Sequence, residues 1–148
     1  ELVKENVKEM YVMGGHFKDT DYKEYNIVCD IESAQYVADN FPMPIVYCGF
    51  EIGCDILTGA KLKDGKDNML KEIYNLATED GLRPSWDPIT VYYAVTNDME
   101  LFLQSEYVMV SFDKDGRTII KNGGKDSYII RKADKNKIRD VIDSLMAI

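Results

Sequence analysis

The sequence is poor in the residues that build familiar metal and redox centres. It has one histidine, His16, and three cysteines, Cys29, Cys48 and Cys54, with no CxxC spacing. A lone histidine excludes a His-rich metal cluster. An odd, scattered set of cysteines argues against a disulfide framework, and small buried thiols in a reducing compartment are the simpler reading. No apolar run approaches the roughly 20 residues needed to span a bilayer. Bases are outnumbered, 18 against 26 acids, for a net charge of −8. Such a surface argues against nucleic acid or anionic membrane as the main partner. A P-loop, GxSxG, GxGxxG and any Cys–His pairing are also missing.

What is present suits one domain with its own core. The 148 residues are 45% hydrophobic and 30% charged, which is short for two domains. The chain opens Glu1-Leu-Val-Lys, without an initiator Met, a basic n-region or an apolar h-region. Its first residues read as the end of a helix running into a strand, so the chain is expected to begin in the middle of a fold. Localisation is therefore left open between cytoplasm and periplasm.

The stretch from Met13 to Asp30 organises the rest. A short strand over Glu9 to Met13 ends in Gly14-Gly15, where the backbone can turn sharply and be approached closely. A polar loop with Lys18, Asp19, Asp21 and Lys23 follows, and then Glu24, Asn26 and Asp30. Polar groups at a strand end are where α/β proteins present small-molecule sites. The same residues also fit a plain strand, surface loop and helix cap.

Asp30 is placed as an N-cap, with Ala34, Val37, Ala38 and Phe41 at i, i+3, i+4 and i+7 behind it. Pro42 stops that helix. Pro44 to Cys48 is a continuous apolar run ended by Gly49, the pattern of a parallel strand buried on both faces. A βα alternation follows from this order. Asp67 to Thr78 predicts an amphipathic helix. Ser85-Trp86-Asp87-Pro88 predicts a helix start with Asp87 as N-cap and Pro88 at the first helical position, continuing through a mostly apolar Ile89 to Val95. That helix is expected to be buried on several sides. Tyr107–Phe112, Thr118–Ile120 and Tyr128–Ile130, separated by Gly-containing turns, predict an antiparallel meander, and Asp134 caps a last amphipathic helix.

Candidates for chemistry each have a plainer reading. Asp87 is either a cap or a metal ligand, and the positive end of a helix dipole disfavours a cation there unless other carboxylates join it. Trp86, the only tryptophan, is either core or a stacking wall for a flat ligand. His16 reads as a solvated loop residue. Asp113-Lys-Asp-Gly116 looks like the start of a calcium loop, but the position twelve along is Gly124 rather than Glu, which leaves a hairpin turn.

Three stretches in order resemble the inosine–uridine preferring nucleoside hydrolase family. Met13-Gly14-Gly15 is similar to its Met-Gly-Gly strand end, Glu24-Tyr25-Asn26 with Asp30 to its Glu-Phe-Asn…Asp segment, and Trp86-Asp87-Pro88 to its His-Asp-Pro segment. Phe50-Glu-Ile-Gly53, Thr58-Gly59 and Gly116-Arg-Thr118 resemble a divergent, carbohydrate-related branch.

The resemblance implies an α/β fold: the C-terminal portion of an open, mostly parallel sheet with an added antiparallel meander and a C-terminal helix. Residues 1–148 would be a single domain, the C-terminal half of a larger one. It also implies cleavage of the N-glycosidic bond of ribonucleosides, with calcium gripping the sugar diol and the attacking water. Asp87 would be a calcium ligand, Glu24 and Asn26 would hydrogen-bond ribose hydroxyls, Met13 would pack on the sugar, and Trp86 would stack on the base. The expected partner is a ribonucleoside or related small sugar, with self-association or docking to the missing half, and no nucleic acid or membrane.

Departures from the family limit this. The N-terminal aspartate cluster, source of the other calcium ligands and the general base, is absent, and Trp86 replaces a proton-donating histidine. No residue of this chain is assigned as catalytic. The chain alone is expected to be inactive, and a non-catalytic sugar-binding relative is the alternative.

Overall fold

A computed structural model describes residues 1–19 and 21–147. The chain begins with a short helix, α1 (Leu2–Asn6), which leads into strand β1 (Met10–Met13). After the loop come α2 (Tyr25–Cys29), α3 (Ile31–Asn40), β2 (Ile45–Cys48) and α4 (Phe50–Gly53). A stretch of small elements follows: β3 (Leu57–Thr58), α5 (Ala60–Asp64), α6 (Met69–Ala77) and β4 (Arg83–Pro84). Helix α7 (Trp86–Thr96) then precedes β5 (Phe102–Gln104), β6 (Val108–Phe112), β7 (Thr118–Asn122), β8 (Ser127–Arg131) and the last helix, α8 (Lys135–Met146).

The main sheet is mixed, in the order β1-β2-β8-β5. β1 and β8 flank β2 in parallel, and β5 pairs antiparallel with β8. β2 is buried at all four positions. Its side chains alternate between two cores, as period-two geometry demands. Val46 and Cys48 join Ile89, Tyr93, Ile129, Ile138 and Ile142 on the side of α7 and α8. Ile45 and Tyr47 join Ile27, Ala38, Val110 and Phe112 on the other side. This is the continuous apolar strand of a parallel sheet covered on both faces.

The α/β class, the mostly parallel sheet with antiparallel strands and the C-terminal helix are as expected. Two details differ. β6 and β7 form a two-stranded hairpin, but β8 leaves it and enters the main sheet beside β2. A bridge between Val108 and Asp126, just before β8, links the hairpin to that strand. A run such as Tyr128-Ile-Ile130 fits either pairing locally, and burial decides for the sheet: Ile129 is fully enclosed.

The second difference concerns α7. It starts two residues earlier than expected, at Trp86, with Ser85 as N-cap. The Ser85 carbonyl accepts the first helical bond, from Ile89 N–H at 3.1 Å. Asp87 therefore sits inside the first turn and is not the cap. Nor is α7 enclosed: only Ile89, Thr90 and Tyr93 are buried, while Val91 and Val95 are 62% and 80% exposed.

Candidate functional site

The carboxyl ends of β1 and β2 lie side by side, the usual place for a ligand in an open α/β sheet. Three glycines shape this edge. Gly15 turns at φ +78°, and a side chain there would meet Thr118 Oγ1 at 3.0 Å. A Cβ on Gly49 would collide with Glu51 and Phe17. Gly53 lets the end of α4 touch the start of α7, since a Cβ there would lie 2.7 Å from the Trp86 nitrogen. Ser85 N–H completes that junction by donating to Ile56 O at 3.0 Å.

Met13 and Asn26 meet at the end of β1. The Asn26 amide donates from Nδ2 to Met13 O at 3.3 Å and to Met13 Sδ at 3.0 Å. Both line a recess of about 310 Å³ with Val12, Ile27, Tyr47 and Phe112. Asn26 is exposed and Met13 half-buried, so both can meet a ligand.

Glu24 lies beneath them, only 2% exposed. Its carboxylate accepts from three backbone N–H groups: Asn26 at 3.0 Å, Ile27 at 3.1 Å and Gly15 at 3.3 Å. It is the N-cap of α2 and ties that helix to the Gly14-Gly15 turn. Asp30, the next acid, caps α3 by accepting from Ser33 N–H at 3.0 Å. That bond, with one from the Ser33 hydroxyl at 2.7 Å, holds the Asp30 carboxyl below the usual carboxylate range.

Trp86 belongs to a different group. Its indole Nε1–H donates to Phe50 O at 2.8 Å, and its ring lies 5.3 Å from that of Phe50. Phe50 in turn contacts Tyr22 at 4.7 Å and His16 at 5.9 Å. His16 was expected in solvent but is 8% exposed, closed in by Tyr22 and Phe50. A residue after Gly-Gly reads as loop from sequence alone. The aromatic partner that buries it lies 34 positions downstream.

Asp87 is exposed. It borders a recess of about 660 Å³ whose other walls are mainly apolar, among them Leu70, Val91, Val95, Ile142 and Leu145. That recess shares no residue with the one holding Met13 and Asn26. Among the described residues, no three His, Cys, Asp or Glu side chains come together to hold a metal. Calcium takes six to eight oxygen ligands. The carboxylates of this chain therefore do not fit a calcium ion by themselves.

A family model described as inosine-uridine preferring nucleoside hydrolase matches residues 1–141. The chain belongs to the inosine-uridine preferring nucleoside hydrolase family. A search of curated proteins finds no match to it. Membership accounts for the mixed sheet and ties the chain, at family level, to hydrolysis of N-glycosidic bonds. In this nucleoside hydrolase relative, the residues singled out from sequence fall into two places. Met13, Glu24 and Asn26 cluster at the end of β1, whereas Trp86 and Asp87 stand at the start of α7 with different neighbours. Sequence reading missed Phe50, His16 and Glu51 as parts of this edge. The glycine ending β2, Gly49, was the signal that a second loop converges there.

Proposed function

We propose that this chain supplies the sugar-facing half of the site in a nucleoside hydrolase-like protein acting on ribonucleosides or a related glycoside. The contact between Asn26 and Met13 above the capping Glu24 carries the reading. It offers an exposed amide, with donor and acceptor atoms, beside a thioether at the carboxyl end of β1. A sugar hydroxyl can bond the amide while the ring packs on Met13. Cleavage builds positive charge on the sugar, and oriented amides and carboxylates near the ring stabilise it.

The chain by itself does not complete the reaction in this account. Asp87 becomes a calcium ligand only when carboxylates from outside the chain join it. The general base also lies outside. Two features support a larger parent domain. β1 is an edge strand whose Tyr11 and Met13 backbone groups face away from β2, because Met10 and Gly14 donate toward it. And α7 carries an exposed apolar face beside Leu145. A missing half of the domain, or a second copy of the chain, would cover both.

The alternative, a sugar-binding relative without catalysis, draws on Trp86. Its indole N–H is engaged by Phe50 O, and an indole cannot act as a general acid. Calorimetry on the longer protein separates the readings from a merely structural one. Asn26→Ala should weaken ribose binding about tenfold, the worth of one good hydrogen bond. Unchanged affinity would remove Asn26, and with it the observation that carries the proposal.

A further inference from the structure

The one histidine and a half-buried carboxylate, whose Oε2 atom is enclosed, face each other at this edge in a way the hydrolase reading does not use. His16 Nδ1 accepts a hydrogen bond from Asp19 N–H at 2.8 Å. A neutral imidazole has one acceptor nitrogen, so this bond consigns its proton to Nε2. Glu51 comes from the other side. Its Oε1 accepts from Phe17 N–H at 3.2 Å, while Oε2 stops 3.5 Å from His16 Nδ1. Oε2 is the only buried side-chain nitrogen or oxygen without a hydrogen-bond partner among the described residues. Two acceptor atoms thus confront each other, enclosed, with no hydrogen between them.

The chain goes to some length to create this encounter. Gly49 allows the Glu51 side chain to fold back, because any Cβ there would stand 2.5 Å from Oε2. His16 is fixed from behind by its own N–H, which donates to Thr118 Oγ1 at 3.0 Å. Its ring is held between Tyr22 and Phe50.

We propose that His16 and Glu51 form a proton-binding pair that switches the hydrogen bonding of this edge. One proton taken from solvent bonds to Nδ1, and Nε2 keeps the one it has. The imidazolium then donates from Nδ1 to Glu51 Oε2, and the Asp19 N–H···Nδ1 bond is released. The pair goes from a charge of −1 to zero. A bond within the loop after β1 is exchanged for one between that loop and α4. Lys18 and Arg131 border the same recess as Glu51, but Arg131 pairs with Asp55, and among the described residues no ion pair joins either cation to Glu51. Lys18, Asp19 and Asp21 on the same loop are exposed, Glu24 is engaged by three backbone amides, and Arg117 beside Thr118 pairs with Asp113 and Asp115. Tyr22 presents its ring, and Phe50 and Trp86 do not titrate.

The test is a pH titration of the 148-residue chain followed by NMR, in which a single histidine makes the ring signals unambiguous. At the alkaline end, ring nitrogen shifts should report the Nε2–H tautomer. As the ring protonates, the Asp19 amide should move upfield and exchange faster over the same pH interval. In Glu51→Gln the joint transition should move to lower pH, because the anionic acceptor of the imidazolium is gone. In His16→Gln the Asp19 amide should no longer respond. An Asp19 amide that stays constant through the ring's transition would overturn the pair, as would a Glu51→Gln transition at the wild-type position. Should either variant fail to fold, the wild-type co-titration decides alone.

Discussion

Glu24 carries two assignments at once, and the structure makes their separation a matter of experiment. As a cap it accepts from Asn26, Ile27 and Gly15 N–H; as a family residue it would face the sugar. Replacing it with alanine orphans three donors in a nearly enclosed place. Glu24→Ala should therefore cost about 1 to 2 kcal/mol of stability or more, read as a lower urea midpoint. Asn26→Ala, which removes only its exposed contacts with Met13, should stay within about 0.5 kcal/mol of the parent. Loss of sugar binding in Glu24→Ala is then ambiguous, whereas the same loss in Asn26→Ala is not. If Glu24→Ala is as stable as the parent, the capping account of that carboxylate is wrong.

At the scale of elements, α7 is the anomaly. Its sequence is apolar all round, which in a soluble fold marks a helix enclosed by neighbours. Here Ile89 and Tyr93 face the core, and Val91 and Val95 face outward with Leu145 of α8 nearby. A substitution on that outer face should leave the fold alone and change what it touches. Val95→Lys is expected to shift the unfolding midpoint little, within about 0.5 kcal/mol. It should also abolish self-association or docking, seen as a later elution and a lower mass by light scattering. Association that survives Val91→Asp and Val95→Lys together would move the interface elsewhere.

The same elements show how far the residues alone could be read. The buried strand at Pro44–Cys48, the Asp30 cap and the helix begun by Asp134 are legible because each depends on neighbours a few positions away. Asp87 as cap was a near miss. A tryptophan can enter a helix at its first position, and Ser85 is held in place by Gly53 and Ile56 rather than by its own side chain bonding the helix. The position of β8 and the burial of His16 were not legible, since both rest on contacts far away in sequence. Of the site, the grouping of Met13, Glu24 and Asn26 could be seen through resemblance. Their division from Asp87 could not, because it depends on which way α7 turns its first residues.

For the molecule as a whole, the sheet places Met13, Glu24 and Asn26, the residues proposed to face a sugar, at one end, while Asp87 stands apart from them. A single exposed aspartate at α7 cannot bind calcium as a set of six to eight oxygens would. Added calcium should accordingly leave the thermal midpoint of the isolated chain where it is, since only a ligand that binds the folded state raises it. A clear calcium-dependent rise would mean that the chain gathers a site of its own. The measurement closest to the central claim is turnover. Inosine and p-nitrophenyl riboside should be hydrolysed by this 148-residue polypeptide, with calcium present, no faster than in a metal-free control. Hydrolysis well above that control would contradict the view that this chain holds the sugar and leaves the chemistry to residues outside it.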